Sequence, residues 1–512
     1  MHLISKFKKE ILFFLLISFF YFVLRLIFLN RLPIFTDEAI YMRWSQIALR
    51  DSSWRFISLT DGKQPLFTWF SLAFMKFIKD PLIAGRLVSV ASGFFTMTGL
   101  WLLTYELFKD KKTAFLTTVV YVFYVFAQVY DRMALMDGMV GTFAVWGIYF
   151  SVLLVRKLRL DIAYTLGFII GGGTLTKTDG FFTVYMMPFM LLLFDFKEKN
   201  RTRRFVRWVV FSLFSVLIGY GMYNVLRLSP LFSMISAKNA LFVYPFSKWI
   251  HHPFTFFIGN LHGLFSWLYQ YMTIPYILLI IFSLIFINKF TREKLLLFLY
   301  FFLPFVALAL FGRIIFPRFI YFMSLSLLPL AGWTLNYIIS FFEDKLKTGK
   351  SRYLRYAVNL VIIIIFVSYP AFVSFQFAAN PVKAAIADSD SSQYVNSWSA
   401  GWGVKQSVAF FKQKASAGKI FIGTEGTFGL MPESMELYLI QNPNVTIKGF
   451  WPIGNSLPQE ALDYSKKMPS YFIFYQPQHE VIPANFPLKL IFKVQEGNSN
   501  YYYRVYQILP QK

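Results

Sequence analysis

The sequence contains no cysteine. No disulfide framework, thiolate metal site or thiol nucleophile is therefore available, and any exported part must be held together by packing alone. Charge is scarce inside the apolar runs. A transporter or flippase for a lipid-linked glycan carries polar residues along a midplane pathway and often repeated halves. Here the runs are nearly free of ionisable residues, and no internal repeat or long low-complexity tract is present. The basic residues are spread between apolar runs and not clustered, which argues against a nucleic-acid partner.

What the sequence has is apolar surface. Of 512 residues, 56% are hydrophobic and 21% aromatic, with 63 Phe and 30 Tyr, and the mean hydropathy is +0.51. Soluble globular domains do not carry this much, whereas lipid-facing spans with aromatic belts do. The first run, Ile11 to Leu29, follows Lys6, Lys8 and Lys9 and precedes Arg31, Leu32 and Pro33, not a small-residue cleavage site. It reads as a retained signal anchor with its N-terminus in the cytoplasm.

A span needs roughly 20 apolar residues. The pattern predicts spans at 11–29, 82–106, 113–130, 139–155, 160–176, 180–195, 205–226, 272–288, 295–311, 319–340 and 356–376. That makes an α-helical polytopic membrane protein of about eleven helices in the lipid bilayer. The formal net charge of +25 fits cytoplasmic loops rich in Lys and Arg. Lys109, Lys111 and Lys112 share one predicted inner loop, Arg156, Lys157 and Arg159 the next, and Lys345, Lys347, Lys350, Arg352 and Arg355 the last. An odd count places the C-terminus outside the cytoplasmic membrane.

Two predicted outer loops are long. Residues 31–81 hold an amphipathic stretch, Ala39–Arg50, and an apolar stretch, Pro65–Lys79, too short to span and suited to an interfacial helix. Residues 227–271 are aromatic and carry His251, His252 and His262. After about residue 380 the apolar runs shorten and Asp, Ser, Asn, Gly and Pro increase. Helices are predicted at Val404–Lys414, Pro432–Ile440 and Gln459–Lys467. Strands are predicted at Lys419–Gly423, Val445–Phe450, Tyr471–Tyr475, Leu488–Val494 and Tyr501–Ile508. The organisation expected is a transmembrane domain, 1–379, followed by a small extracytoplasmic α/β domain, 380–512.

Ionisable residues gather at the predicted outer mouths: Asp37, Glu38, Asp61, Asp131, Asp137 and Asp179, with Lys63, Arg86, Arg132, Lys177 and Arg318 nearby. Each alone is readable as an interfacial charge that snorkels to water. As a set, with both signs at one surface, they suit a charged substrate attached to a lipid. In Phe35-Thr-Asp-Glu-Ala-Ile-Tyr41, two carboxylates follow the first span and precede an amphipathic helix, which Thr36 and Asp37 are also suited to cap.

This segment resembles the first-loop Asp-Glu motif of the GT-C glycosyltransferases. The branch it is most similar to holds protein O-mannosyltransferases and the bacterial aminoarabinose transferase of lipid A. Further matches follow in order. Gly62-Lys-Gln-Pro-Leu66 resembles a Lys-Pro-Pro-Leu segment with Gln64 in place of the first Pro. Arg86 resembles the Arg of an Ala-x-Arg-Leu pattern. Asp131-Arg-Met-Ala-Leu-Met-Asp137 resembles a second-loop Arg…Asp pattern. Gly173-Thr-Leu-Thr-Lys177 resembles Gly-x-x-x-Leu-Thr-Lys-Gly, with Thr178 in place of the last Gly. Pro317-Arg318-Phe319 resembles a late Pro-Arg-Tyr. The resemblance spans about residues 10–375 and leaves the C-terminal region unmatched.

The resemblance implies a polyprenyl-phosphate sugar donor and a hydroxyl acceptor in the cell envelope. Inverting transfer needs one base, and the phosphate leaves without protonation, unlike the aglycone of a glycosidase. What the leaving group needs is fixed positive charge. The expected roles are Asp37 as base and Glu38 as its orienting partner. Lys63, Arg86, Lys177 and Arg318 are expected around the phosphate, with Asp137 and Arg132 at the sugar or acceptor. No cofactor is required; a divalent metal at His251, His252 and His262 is a lesser reading than an aromatic interfacial loop. Gly423-Thr-Glu-Gly-Thr-Phe-Gly429 has the wrong spacing for a nucleotide loop and reads as a strand-to-helix turn. A scaffold whose C-terminal domain binds a partner would leave the carboxylates at the mouths unexplained.

Overall fold

The computed structural model describes residues 8–286, 289–346 and 352–510. Among these, seven helices are long and apolar enough to cross a membrane: Pro81–Phe108, Met136–Lys157, Arg201–Leu228, Phe257–Ile285, Thr291–Phe311, Arg318–Lys345 and Tyr353–Ala379. The chain is an integral membrane protein. The helix Lys8–Leu26 is also apolar and exposes Leu12, Leu15 and Phe19. Helices Met136–Lys157 and Arg318–Lys345 are the most enclosed by protein, and Arg201–Leu228 and Tyr353–Ala379 the least. Exposed Leu213 and Leu217 on the former and Ile364 and Ile365 on the latter are the side chains such helices present to lipid.

Each of the eleven predicted segments falls on helix, but not each as one span. Residues 113–130 form two pieces, Lys111–Val122 and Val125–Tyr130, broken at Phe123 and Tyr124. Residues 180–195 form short 3₁₀ and α turns through Leu193, with Pro188 opening the last 3₁₀ turn. Of the predicted span 272–288, residues up to Ile285 belong to a longer helix that starts at Phe257, so the preceding loop is shorter than predicted, and residues 287 and 288 lie outside the described residues; the helix is kinked at Thr273, two residues before Pro275. Helices Leu160–Thr176 and Arg201–Asn224 approach closely because Gly167, Gly171 and Gly219 leave room for Ile218, Met222 and Ile170.

Between helices Lys8–Leu26 and Pro81–Phe108, Thr36–Arg50 and Leu66–Met75 lie as short helices, where the amphipathic and the apolar stretch predicted them. The strand β1, Ile34–Phe35, pairs antiparallel with β2, Ala400–Gly401, and so ties the first loop to the C-terminal region. That region holds a five-stranded sheet of β3 (Ile420–Glu425), β4 (Val445–Phe450), β5 (Ser470–Phe474), β6 (Leu488–Gln495) and β7 (Tyr502–Ile508), in the order β4-β3-β5-β7-β6. The pairs β3–β4 and β3–β5 are parallel, and β7 is antiparallel to both its neighbours. Its strands and helices fall within three residues of the predicted ones, and the stretch Gly423–Gly429 ends β3 and opens the strand-to-helix connection, with positive φ at Gly426 and Gly429. The sheet region docks on the first loop: Arg43 Nε donates to Glu436 Oε2 at 2.7 Å, and Gln46 Nε2 to the Leu437 carbonyl at 3.1 Å.

Candidate active site

The helix Thr36–Arg50 begins with two carboxylates in its first turn, where its free N–H groups favour negative charge. Successive helical residues point about 100° apart, and the two take opposite environments. Glu38 turns inward and is fully buried. Its Oε2 accepts the Phe35 N–H at 3.0 Å, so capping falls to Glu38 and not to Thr36 or Asp37. Its Oε1 accepts the Ala134 N–H at 2.7 Å and Arg86 Nε at 2.9 Å, and its Oε2 accepts Arg86 Nη2 at 2.8 Å. Arg86, also fully buried, spends its remaining donors on the carbonyls of Leu29, Leu32 and Pro33. The pair is bidentate and closed. Arg86, expected at the phosphate, has no donor left for one, and Glu38, expected to orient Asp37 or the acceptor, has no face toward an acceptor, while its place beside Asp37 in the same helical turn is unchanged.

Arg132 is corrected likewise. Its guanidinium donates to the carbonyls of Leu24 and Arg25 at 2.7 and 2.8 Å and of Ile27 at 2.9 Å. These are the unpaired carbonyls at the C-terminal end of Lys8–Leu26, where a cation is a natural cap. Asp131 is buried too, accepting Arg25 Nε at 3.0 Å and the Tyr121 hydroxyl at 3.0 Å.

Asp37 turns the other way. Arg318 Nη1 donates to its Oδ2 at 2.8 Å, and Lys63 Nζ lies 3.6 Å from its Oδ1. Lys63 also donates to the Tyr41 hydroxyl at 2.8 Å and lies 3.7 Å from Asp61. Lys238 donates to Asp61 at 2.6 Å. Lys177 donates to Asp137 at 2.9 Å, lies 3.0 Å from Asp179, and sits 4.5 Å over the ring of Phe319, next in sequence to Arg318. The structure thus brings Asp37, Lys63, Lys177, Arg318 and Asp137 together. It gathers with them Asp61 and Asp179, which the sequence also placed at the outer mouths, Tyr41, which ends the first-loop segment, and Lys238, which no motif marked. The side chains of Asp37, Lys63, Lys177 and Arg318 remain 13–22% exposed, against 0% for Glu38 and Arg86.

Two glycines shape this mouth. Gly62, with φ of 65°, turns the chain just before Lys63, and a Cβ there would lie 2.3 Å from the Met234 carbonyl on the helix that carries Lys238. Gly180 packs its backbone on Gly173, where a Cβ would meet the chain at 2.1 Å. That fold-back places Lys177 at the rim, with Gly180 standing beyond the position where the family pattern has its last glycine.

The electrostatics favour an anion. Burial alone would raise the Asp37 carboxyl, but Lys63 and Arg318 outweigh it, with Lys238 adding, and hold it down to about 2 against the usual 3.8. Four cations face four carboxylates, so a phosphate entering here must compete for Lys63 and Arg318, and in doing so releases Asp37. From the C-terminal region, Asp390 is buried beneath the mouth and accepts the hydroxyls of Tyr130 and Tyr271. Burial raises its carboxyl to about 6, against those hydrogen bonds and Arg318. Among the described residues, no three His, Asp or Glu side chains converge as a metal-ligand set.

Residues 62–221 match the family described as dolichyl-phosphate-mannose-protein mannosyltransferase. The crystal structure of ArnT from Cupriavidus metallidurans in the apo state is similar over 99% of this chain and 100% of that one, at 12% identity and a TM-score of 0.57. The same protein bound to undecaprenyl phosphate is similar over the same shares, at 12% identity and a TM-score of 0.55. The apo oligosaccharyltransferase of Archaeoglobus fulgidus matches 91% of this chain and 69% of its own, at 13% identity and a TM-score of 0.53. A search of curated protein sequences finds no significant match. The chain has the fold of these proteins, including the helix order the sequence motifs implied.

Proposed function

We propose that this chain is an inverting glycosyltransferase that moves a sugar from a polyprenyl phosphate to a hydroxyl acceptor of the cell envelope. The observation that carries the reading is Asp37 held between Lys63 and Arg318 at a partly open mouth. A donor phosphate takes Lys63, Arg318 and Lys177, and Asp37, relieved of its partners, regains basicity. Asp37 then accepts the acceptor hydroxyl proton as that oxygen attacks C1. The C1–O bond to phosphate breaks with its electron pair on the phosphate, which gains one negative charge beside the same cations. Asp137 and Asp179, paired with Lys177, line the sugar side. The ArnT structure with undecaprenyl phosphate supports a lipid phosphate as ligand of this fold.

In this reading, residues 1–379 carry the transfer site and residues 380–512 form a soluble domain on the outer face of the cytoplasmic membrane, with the N-terminus inside. The test is a donor panel: purified enzyme, polyprenyl-phosphate hexoses and pentoses, and an envelope acceptor extract. Release of free polyprenyl phosphate coupled to glycosylated product is expected for one donor class. Transfer from nucleotide sugars but from no lipid-linked donor would contradict it.

A further inference from the structure

A second cationic feature lies apart from the mouth. No Asp or Glu occurs between Glu198 and Glu293, yet the segment between helices Arg201–Leu228 and Phe257–Ile285 carries Lys238, Lys248, His251 and His252. Lys238 is accounted for by Asp61. The other end of its helix, Met234–Phe242, is pinned to the end of Thr291–Phe311: the Tyr244 N–H donates to the Phe311 carbonyl at 2.8 Å, and the Arg313 N–H to the Phe242 carbonyl at 2.8 Å. Beyond this pin the chain opens a cleft of about 690 Å³ lined by Tyr244, Lys248, Trp249, His251, His252 and Phe256.

The cleft has two chemistries. One side is apolar: the Trp249 ring packs at 5.0 Å on Phe311 and at 5.5 Å on Phe246, and the Tyr244 and Phe256 rings stack at 4.7 Å. Phe246, Ile250 and Phe254 stand exposed around it at the ends of spanning helices, where aromatics meet the headgroup layer. The other side is polar: the exposed Lys248 ammonium has no acid in the segment to pair it, and the exposed imidazoles of His251 and His252 flank it with N–H donors. The Trp249 indole N–H is buried and finds no acceptor among the described residues.

We infer that this cleft is a binding site for an anionic diacyl phospholipid of the bilayer, its phosphate on Lys248, His251 and His252, its oxygens within reach of the Trp249 donor, and its chains along Trp249 and Phe256. A zwitterionic lipid carries its own cation, which the Lys248 ammonium repels; an anionic one does not. The polyprenyl phosphate of the transfer reaction is a different ligand in this inference, because among the described residues none of those lining the cleft forms an ion pair or hydrogen bond with Asp37, Lys63, Lys177 or Arg318. The inference does not rest on sugar transfer.

The test is native mass spectrometry of the full chain in neutral detergent with equal amounts of phosphatidylglycerol and phosphatidylcholine. Phosphatidylglycerol is expected to be retained about tenfold over phosphatidylcholine, and the preference to vanish in a Lys248→Gln, His251→Gln, His252→Gln variant that melts like the parent. Trp249→Phe, which keeps the ring and loses the donor, is expected to lower retention about threefold; should the triple variant fail to fold, Lys248→Gln alone decides. Undecaprenyl phosphate binding should be unchanged in these variants. Equal retention of the two phospholipids, or unchanged preference in the variants, overturns the site. Loss of undecaprenyl phosphate together with phosphatidylglycerol would make the cleft part of the donor site and also overturn it.

Discussion

Asp37 and Glu38 are neighbours in sequence, share one helical turn and carry the same charge, yet they belong to different parts of the molecule's logic. Glu38 and Arg86 form a closed pair in which every strong donor and acceptor is matched to the other partner or to backbone. Asp37, Lys63 and Arg318 form an open set, partly exposed and with longer contacts on the Lys63 side. A closed pair positions chain segments: Arg86 alone gathers three consecutive turns of the first loop through Leu29, Leu32 and Pro33. An open set can exchange partners with a ligand. The difference lies in the 100° between adjacent helical residues.

The comparison breaks most visibly in activity. Asp37→Asn removes the proton acceptor and should lower transfer by about 10²–10⁴-fold, read from initial rates at equal enzyme. Next comes the closed pair. Arg86→Met strands the Glu38 carboxylate in the interior and should cost about 3–5 kcal/mol, seen as a large fall in the melting midpoint in detergent or as failure to express. Smaller effects belong to the rim cations. Lys177→Met and Arg318→Met should each weaken binding of bare undecaprenyl phosphate by about tenfold while shifting stability by less than about 1 kcal/mol, because these pairs keep contact with water.

The smallest effect concerns pH. The Asp390 carboxyl is raised from 3.8 to about 6, so the folded chain holds this proton more tightly than the unfolded one. Its contribution to stability is present below 3.8 and is lost as pH rises through about 6. Protease protection of the C-terminal region should therefore fall over that window. Asp390→Asn should flatten the fall there and leave in place the decline toward about 9 that burial of Glu496 produces.

Most of the architecture was legible from apolar run length and alternation, because both reflect backbone geometry directly. The helix Thr36–Arg50, the strand Val445–Phe450 and the connection at Gly426 all fall where the pattern put them. Pro188 and Pro275 were visible, but whether a proline kinks, shortens or ends a helix depends on neighbours that can satisfy the freed carbonyls. The site was legible as a set of residue types and not as a partition. Arg86 and Arg132 stand in the right motifs, but a motif does not say whether a guanidinium meets a ligand or three backbone carbonyls. Lys238 belongs to no motif. Its one signal was a cation in an outer loop, where the charge rule leaves few.

The central claim is that the adjacent carboxylates divide function from architecture, and one paired measurement tests it: melting midpoint and transfer rate for Asp37→Asn and Glu38→Gln, side by side. Asp37→Asn keeps the hydrogen bond from Arg318 but loses the charge that Lys63 and Arg318 stabilise, so it should melt modestly below the parent and above Glu38→Gln, and should lose transfer. Glu38→Gln should melt lower, because it leaves Arg86 buried without its counter-charge, and whatever fraction stays folded should retain transfer within about tenfold. A Glu38→Gln enzyme that melts normally but is inactive, beside an active Asp37→Asn, would contradict the assignment.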